Sequence, residues 1–108
     1  MFVTLSQNNS GGYFINDEDN GVCECIIIEA DNYNEFENKL NKIASKVDNF
    51  YNYCYCCGER WSIYEEYIEF DNEPLICNES VYAMKKELFM EKCFIHFKNG
   101  DIKKVDFK

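Results

Sequence analysis

Residues 22–50 read "VCECIIIEADNYNEFENKLNKIASKVDNF", and no other stretch limits the fold as tightly. Gly21–Ala30 is a β-branched run closed by an acid, which predicts a strand. A helix start follows at once. Asn32 is a capping residue, and Glu35, three positions on, completes the capping-box pattern. Phe36, Leu40, Ile43, Val47 and Phe50 then recur at spacings of four, three, four and three, one apolar stripe of a helix predicted over 33–50. Glu35 and Lys39 form a favourable i, i+4 pair, and the lysines fall later than the acids, as the helix dipole prefers. Eighteen helical residues span roughly 27 Å, and a nine-residue strand about 30 Å. The helix therefore fits across a sheet containing the 22–30 strand.

The remaining elements are shorter. Met1–Ser6 reads as a first strand, and Gln7–Gly12, "QNNSGG", as a polar loop. "GYFIND" is expected to be the first part of one interrupted strand continuing into Gly21–Ala30, which brings "QNNSGG" and "CYCCGERW" to one end; the alternative, a short strand turned back at "EDNG", would put them at opposite ends. Ser62–Phe70 mixes both periodicities and predicts a loop leading into a strand. "EPLIC" gives a short strand after Pro74, and Ser80 caps a predicted short helix, "VYAMKKELFM". At the end, "KCFIHFK" and "DIKKVDFK" flank Asn99-Gly100, a strong hairpin signal. A three-residue loop puts Cys93, Ile95, Phe97, Val105 and Phe107 on one face, so that register is expected. The whole predicts an α+β domain: a small antiparallel sheet, one long helix on one face, and a C-terminal β-hairpin.

A chain of 108 residues predicts a single domain over 1–108. Nine Phe and eight Tyr mark a folded composition. No apolar stretch is long enough to cross a bilayer, and the N-terminus has no signal-peptide pattern. Seven cysteines, an odd count without an export signal, predict free thiols in a reducing cytoplasm. Charge is uneven: residues 1–38 hold eight acids and no Lys or Arg, whereas residues 85–108 hold seven lysines and four acids. The net charge of −9 disfavours nucleic acid and anionic membrane as partners and suits a basic protein surface. The plainer explanation of the acidity is solubility. An acidic DNA mimic is a further reading, and it requires carboxylates spaced like phosphates across one face.

Chemistry-bearing residues concentrate in "YNYCYCCGERW" (51–61), which contains three cysteines, the only arginine and the only tryptophan. Cys54 and Cys57, followed by Gly58, have the form of half a zinc knuckle, so a zinc-stabilised structural domain is one alternative. Its second half is missing as a motif, because Cys93 and His96, three apart on a strand, point to opposite faces. Thioredoxin-like chemistry needs the pair at a helix N-terminus, and here it follows a helix. His96, between Phe94 and Phe97, has no orienting partner in the sequence and reads as structural. No phosphate loop, nucleotide fingerprint or catalytic carboxylate pair is present, so no enzymatic activity is expected. Arg60 and Trp61 are types enriched at binding hot spots. The alternative is that Trp61 packs on the helix end and Arg60 binds terminal carbonyls or an acid.

Three segments, "LSQNNSGGYF" (5–14), "IIIEADN" (26–32) and "CYCCGERW" (54–61), together resemble a family of small uncharacterised proteins of tailed bacteriophages and prophages. Members carry variants of S-Q-N-N-S-G-G and of C-x-C-C-G-[DE]-R-W. The likeness covers about residues 5–61. It implies action in the cytoplasm of an infected bacterium, and it implies no known catalytic activity. By class analogy it implies a non-enzymatic protein that binds a host protein or defence complex, such as an inhibitor of host defence. The expected binding site joins the two motifs: Gln7, Asn8, Asn9 and Ser10 beside Arg60 and Trp61, with Gly11, Gly12 and Gly58 supporting the backbone. Bracing of the cysteine loop by the asparagines is the equal alternative. No cofactor is expected apart from the zinc alternative at Cys54 and Cys57.

Overall fold

A computed structural model of the chain describes residues 1–8, 14–51, 53–54, 58–87 and 90–108, with backbone alone at 53, 54, 58 and 59. Its centre is a four-stranded sheet in the order β1 (Phe2–Ser6), β2 (Cys25–Glu29), β7 (Lys92–His96), β8 (Ile102–Asp106). One helix, α1 (Tyr33–Ala44), packs on one face. Two small hairpins, β3 (Tyr53–Cys54) with β4 (Gly58–Glu59) and β5 (Leu75–Ile76) with β6 (Glu79–Ser80), and two 3₁₀ turns, Glu18–Asn20 and Glu65–Tyr67, complete the described elements. The α+β class and the C-terminal hairpin match the sequence reading.

The sheet is mixed, not purely antiparallel. β1 pairs with β2 and β7 with β8 in antiparallel fashion, but β2 and β7 run parallel, with Ile26 opposite Phe94 and Ile28 opposite His96. A parallel pair needs a connection of a dozen or more residues, and everything from α1 to β6 lies between these two strands. Both faces of β2 are buried. Ile26 and Ile28 join Val3, Leu5, Phe36 and Leu40 in the core beneath the helix. Cys25 and Ile27 join Cys93, Ile95, Ile76, Val81 and Met84 on the other face. A strand covered on both faces reads as a continuous apolar run, not an alternating one. That explains "CIIIE".

The helix begins as expected, with Asn32 Oδ1 accepting from the Glu35 N–H at 2.9 Å. It ends at Ala44, six residues before the predicted limit. The Lys46 and Val47 N–H groups donate to carbonyls three residues back, and Asn49 has φ +60°. The chain thus tightens into turns and then leaves the right-handed helical region. Val47 and Phe50 remain buried, so the apolar stripe continues past the helix. The predicted helix "VYAMKKELFM" does not form. Ser80 belongs to β6, the Lys86 N–H donates to the Lys108 carbonyl, and the Lys108 N–H donates to Met84. Long-range backbone pairing and burial of Val81 and Met84 override local propensity there. The β5–β6 turn, Cys77-Asn78, has φ +51° and +67°, as a type I′ hairpin requires.

The C-terminal hairpin adopts the expected register. The Phe97 N–H donates to the Asp101 carbonyl, leaving residues 98–100 as a three-residue loop with Gly100 at φ +99°. Cys93, Ile95, Val105 and Phe107 share the second core, with Phe97 packed against it. The uneven charge also folds back on itself. Glu18 lies 2.6 Å from Lys92 and 3.4 Å from Lys104, and Asp31 pairs with Lys98. The lysines hold both carboxyls below the usual carboxylate range.

Candidate functional site

The end of β1 brings the two motifs together. Past Ser6, the Gln7 N–H donates to Glu24 and the Asn8 N–H to the Arg60 carbonyl, at 2.8 and 2.6 Å. Gln7, 7 % exposed, turns its carboxamide inward. Its Nε2 donates to the carbonyls of Ile15 (2.8 Å) and Cys23 (2.9 Å). Its Oε1 accepts from the Ile15 N–H and from Arg60 Nη1, both at 2.9 Å. One side chain therefore ties β1, residue 15, the approach to β2 and the arginine into a single node. The carboxamide meets the Ile15 peptide groups as a neighbouring strand would. Both donors and the acceptor of Gln7 are used, which suits a buried amide.

Arg60 is half-buried and the Asn8 side chain is exposed. Trp61 is 2 % exposed, so its ring is a core element and not a contact surface, a correction to its expected place in the site. It stacks on Phe50 with ring centres 5.0 Å apart, and its indole N–H donates to the Phe50 carbonyl at 2.9 Å. An indole flanked by an apolar ring and a free carbonyl gains both burial and a hydrogen bond. Gln7 is likewise enclosed, and it braces the junction. Arg60 donates to the Gln7 carboxamide oxygen there. Asn9, Ser10, Gly11, Gly12, Cys56 and Cys57, with the side chain of Cys54, lie outside the described residues.

The expected interrupted strand from "GYFIND" into β2 does not form, a correction to the expected route, although the motifs still meet. Asp17 and Val22 exchange backbone hydrogen bonds at 2.9 Å around a short 3₁₀ turn, Glu18–Asn20, so "EDNG" is a true turn. Residues 14–16 form no strand of the main sheet, however, so the turn adds no strand to it. β2 runs antiparallel to β1, and the chain beyond α1 brings the Arg60 carbonyl to the Asn8 N–H. Gly21 closes the turn at φ +68°, with its carbonyl 2.7 Å from His96 Nε2. His96 is 6 % exposed and faces the helix side, opposite Cys93 and Ile95. Burial pushes its pKa down.

The described thiols are of two kinds. Cys23, Cys25 and Cys93 are buried, and Cys77 is exposed. Burial pushes the Cys23 and Cys25 thiols up and raises Cys93 to about 12. Such thiols stay protonated and behave as small core hydrophobes. Among the described residues, no cluster of three His, Cys, Asp or Glu side chains is placed to hold a metal ion. Among them also, no helix is long and apolar enough to cross a membrane. Two features escaped the sequence reading: the carbonyls of Ile15 and Cys23 that hold Gln7, and the Phe50 carbonyl that receives the indole. Main-chain partners leave no mark on composition or spacing.

No curated protein and no solved structure matches the chain. A family model does match, over residues 1–108, and the chain belongs to that family, the domain of unknown function DUF7296.

Proposed function

We propose that this protein is a non-enzymatic bacteriophage protein that binds a macromolecule in the infected host, and that the junction of the two motifs is its contact point. The partner fitting this reading is a basic surface on a host protein, with a defence factor as the leading class. One observation carries the proposal: the Gln7–Arg60 hydrogen bond and the Asn8–Arg60 backbone bond converge beside an exposed Asn8 side chain. A node that fixes the Asn8 backbone against Arg60 holds the exposed Asn8 side chain on an ordered support, which lowers the ordering cost of binding. The acid-rich first 38 residues and the likeness of residues 5–14 and 54–61 to phage sequences support the same reading.

Trp61→Ala would test packing and not contact, so the informative variants are Asn8→Ala and Arg60→Ala. Affinity capture from a bacterial lysate is the assay, with circular dichroism confirming that each variant is folded. The expected result is one partner, enriched by the native chain, lost with Asn8→Ala or Arg60→Ala and retained with Lys85→Ala. A partner retained equally by all three variants removes the junction as the contact point.

A further inference from the structure

A second polar feature lies away from Arg60. The second half of α1, the 98–100 turn and Asn20 enclose a cleft of about 330 Å³, at the small end of the usual range for ligand pockets. Four of the ten lysines line it, Lys39, Lys42, Lys46 and Lys98, and no acid does. In a chain of net charge −9 this is a local reversal of sign. Lys39 and Lys42 are three apart on α1 and so share one face of it, and Lys46 follows in the turn just past the helix end, lining the same cleft. Lys39 donates to the Phe97 carbonyl, and Lys98 is answered by Asp31 and Glu35. Lys42 and Lys46 are exposed and, among the described residues, have no carboxylate within ion-pairing reach. Two cations are thus left to face an incoming ligand.

Lysines near a helix C-terminus also complement its dipole, which accounts for Lys42 alone. The dipole does not call for Lys98 and Asn99 on the opposite wall. Nor does its negative end outweigh two ammonium groups, since it is weaker than one charge-assisted hydrogen bond. Asn20 is held in place by its Nδ2 bonds to Asp17 (2.8 Å) and to the Lys46 carbonyl (3.3 Å). Ile43, Phe97 and Ile102 give the cleft an apolar side.

We infer that this cleft binds a small phosphorylated ligand, its phosphate held by Lys42 and Lys46 and its organic part resting on Ile43, Phe97 and Ile102. The site is independent of the Arg60 junction, because Arg60 does not line it. The test is NMR titration of the native chain with AMP, inorganic phosphate and adenosine, following the Lys42, Lys46, Gly100 and Ile102 amides. Saturable shifts with AMP or phosphate below about 10 mM, and none with adenosine, are expected. Tighter binding of AMP than of phosphate assigns an organic phosphate ester, and equal binding assigns free phosphate; either upholds the site. Lys42→Ala/Lys46→Ala weakens binding about tenfold or more, whereas Lys85→Ala/Lys86→Ala, outside the cleft, leaves it unchanged. No saturable shift with either phosphate probe overturns the inference, as does equal loss in both double variants.

Discussion

Removing the Gln7 carboxamide should be the most damaging single polar change in the described chain. In Gln7→Ala, the carbonyls of Ile15 and Cys23, the Ile15 N–H and Arg60 Nη1 all lose a partner at once. A neutral hydrogen bond contributes about 0.5–1.5 kcal/mol net, and one to a charged group about 1.5–3 kcal/mol. The Ile15 and Arg60 ends are only partly buried, so water re-satisfies part of the loss. The Cys23 carbonyl is in the buried part and has no such relief. The net cost is therefore about 3–5 kcal/mol, against a total stability of about 5–15 kcal/mol for a domain of this size. That corresponds to a fall in Tm of about 15–25 °C. Urea denaturation measures it directly, and a double-mutant cycle with Arg60→Ala isolates the shared bond at about 1–2 kcal/mol. A fall in Tm below about 5 °C, or additivity within about 0.3 kcal/mol in the cycle, would refute the node as a stabilising unit.

Gly21→Ala should destabilise by about 2–4 kcal/mol in the same urea assay. Its Cβ would sit 2.6 Å from Ile102 Cγ2 and 2.9 Å from His96 Cε1, at a φ of +68°. Stability should also fall on mild acidification. The His96 pKa is depressed in the fold, so below the unfolded value near 6.5 the unfolded chain takes up the proton first. Tm at about pH 5.5 is expected below that at about pH 7.5, with the dependence flattened in His96→Gln; an equal slope in the variant assigns it elsewhere. The carboxylates shifted down at Glu18 and Asp31 lose their contribution only at lower pH. Thiol labelling of the native protein, mapped by mass spectrometry, should modify Cys77 rapidly and spare Cys23, Cys25 and Cys93 until denaturant is added. Native labelling of Cys25 at the rate of Cys77 would contradict its burial.

Local signals carried the fold as far as they reached. Asn32, the 36–50 stripe and Asn99-Gly100 specify the helix start, its buried face and the hairpin through short-range chemistry. The helix end was not legible, because Val47 and Phe50 stay buried whether the backbone is helical or turning. "VYAMKKELFM" misled because its backbone is claimed by Lys108, a partner more than twenty residues away. The parallel β2–β7 pair was hidden for the same reason: strand direction depends on the connection, and "CIIIE" reads alike in either orientation. At the candidate site, the quoted motifs did lead to neighbouring residues. The side chains they present divide by burial, Gln7 and Trp61 inward and Asn8 outward, and adjacent polar letters in a loop do not encode that division.

The pairing of Ile26 with Phe94 has a consequence for synthesis. A ribosome adds about 5–20 residues each second, and these two partners lie 94 − 26 = 68 positions apart. For roughly 3–14 s after β2 emerges, its second edge and the face bearing Cys25 and Ile27 have no β7 to meet. Sheets that wait for distant partners fold slowly and expose strand edges while they wait. A destabilising change in β7 would thus show first as aggregation of newly made chain, before any loss in the stability of protein already folded.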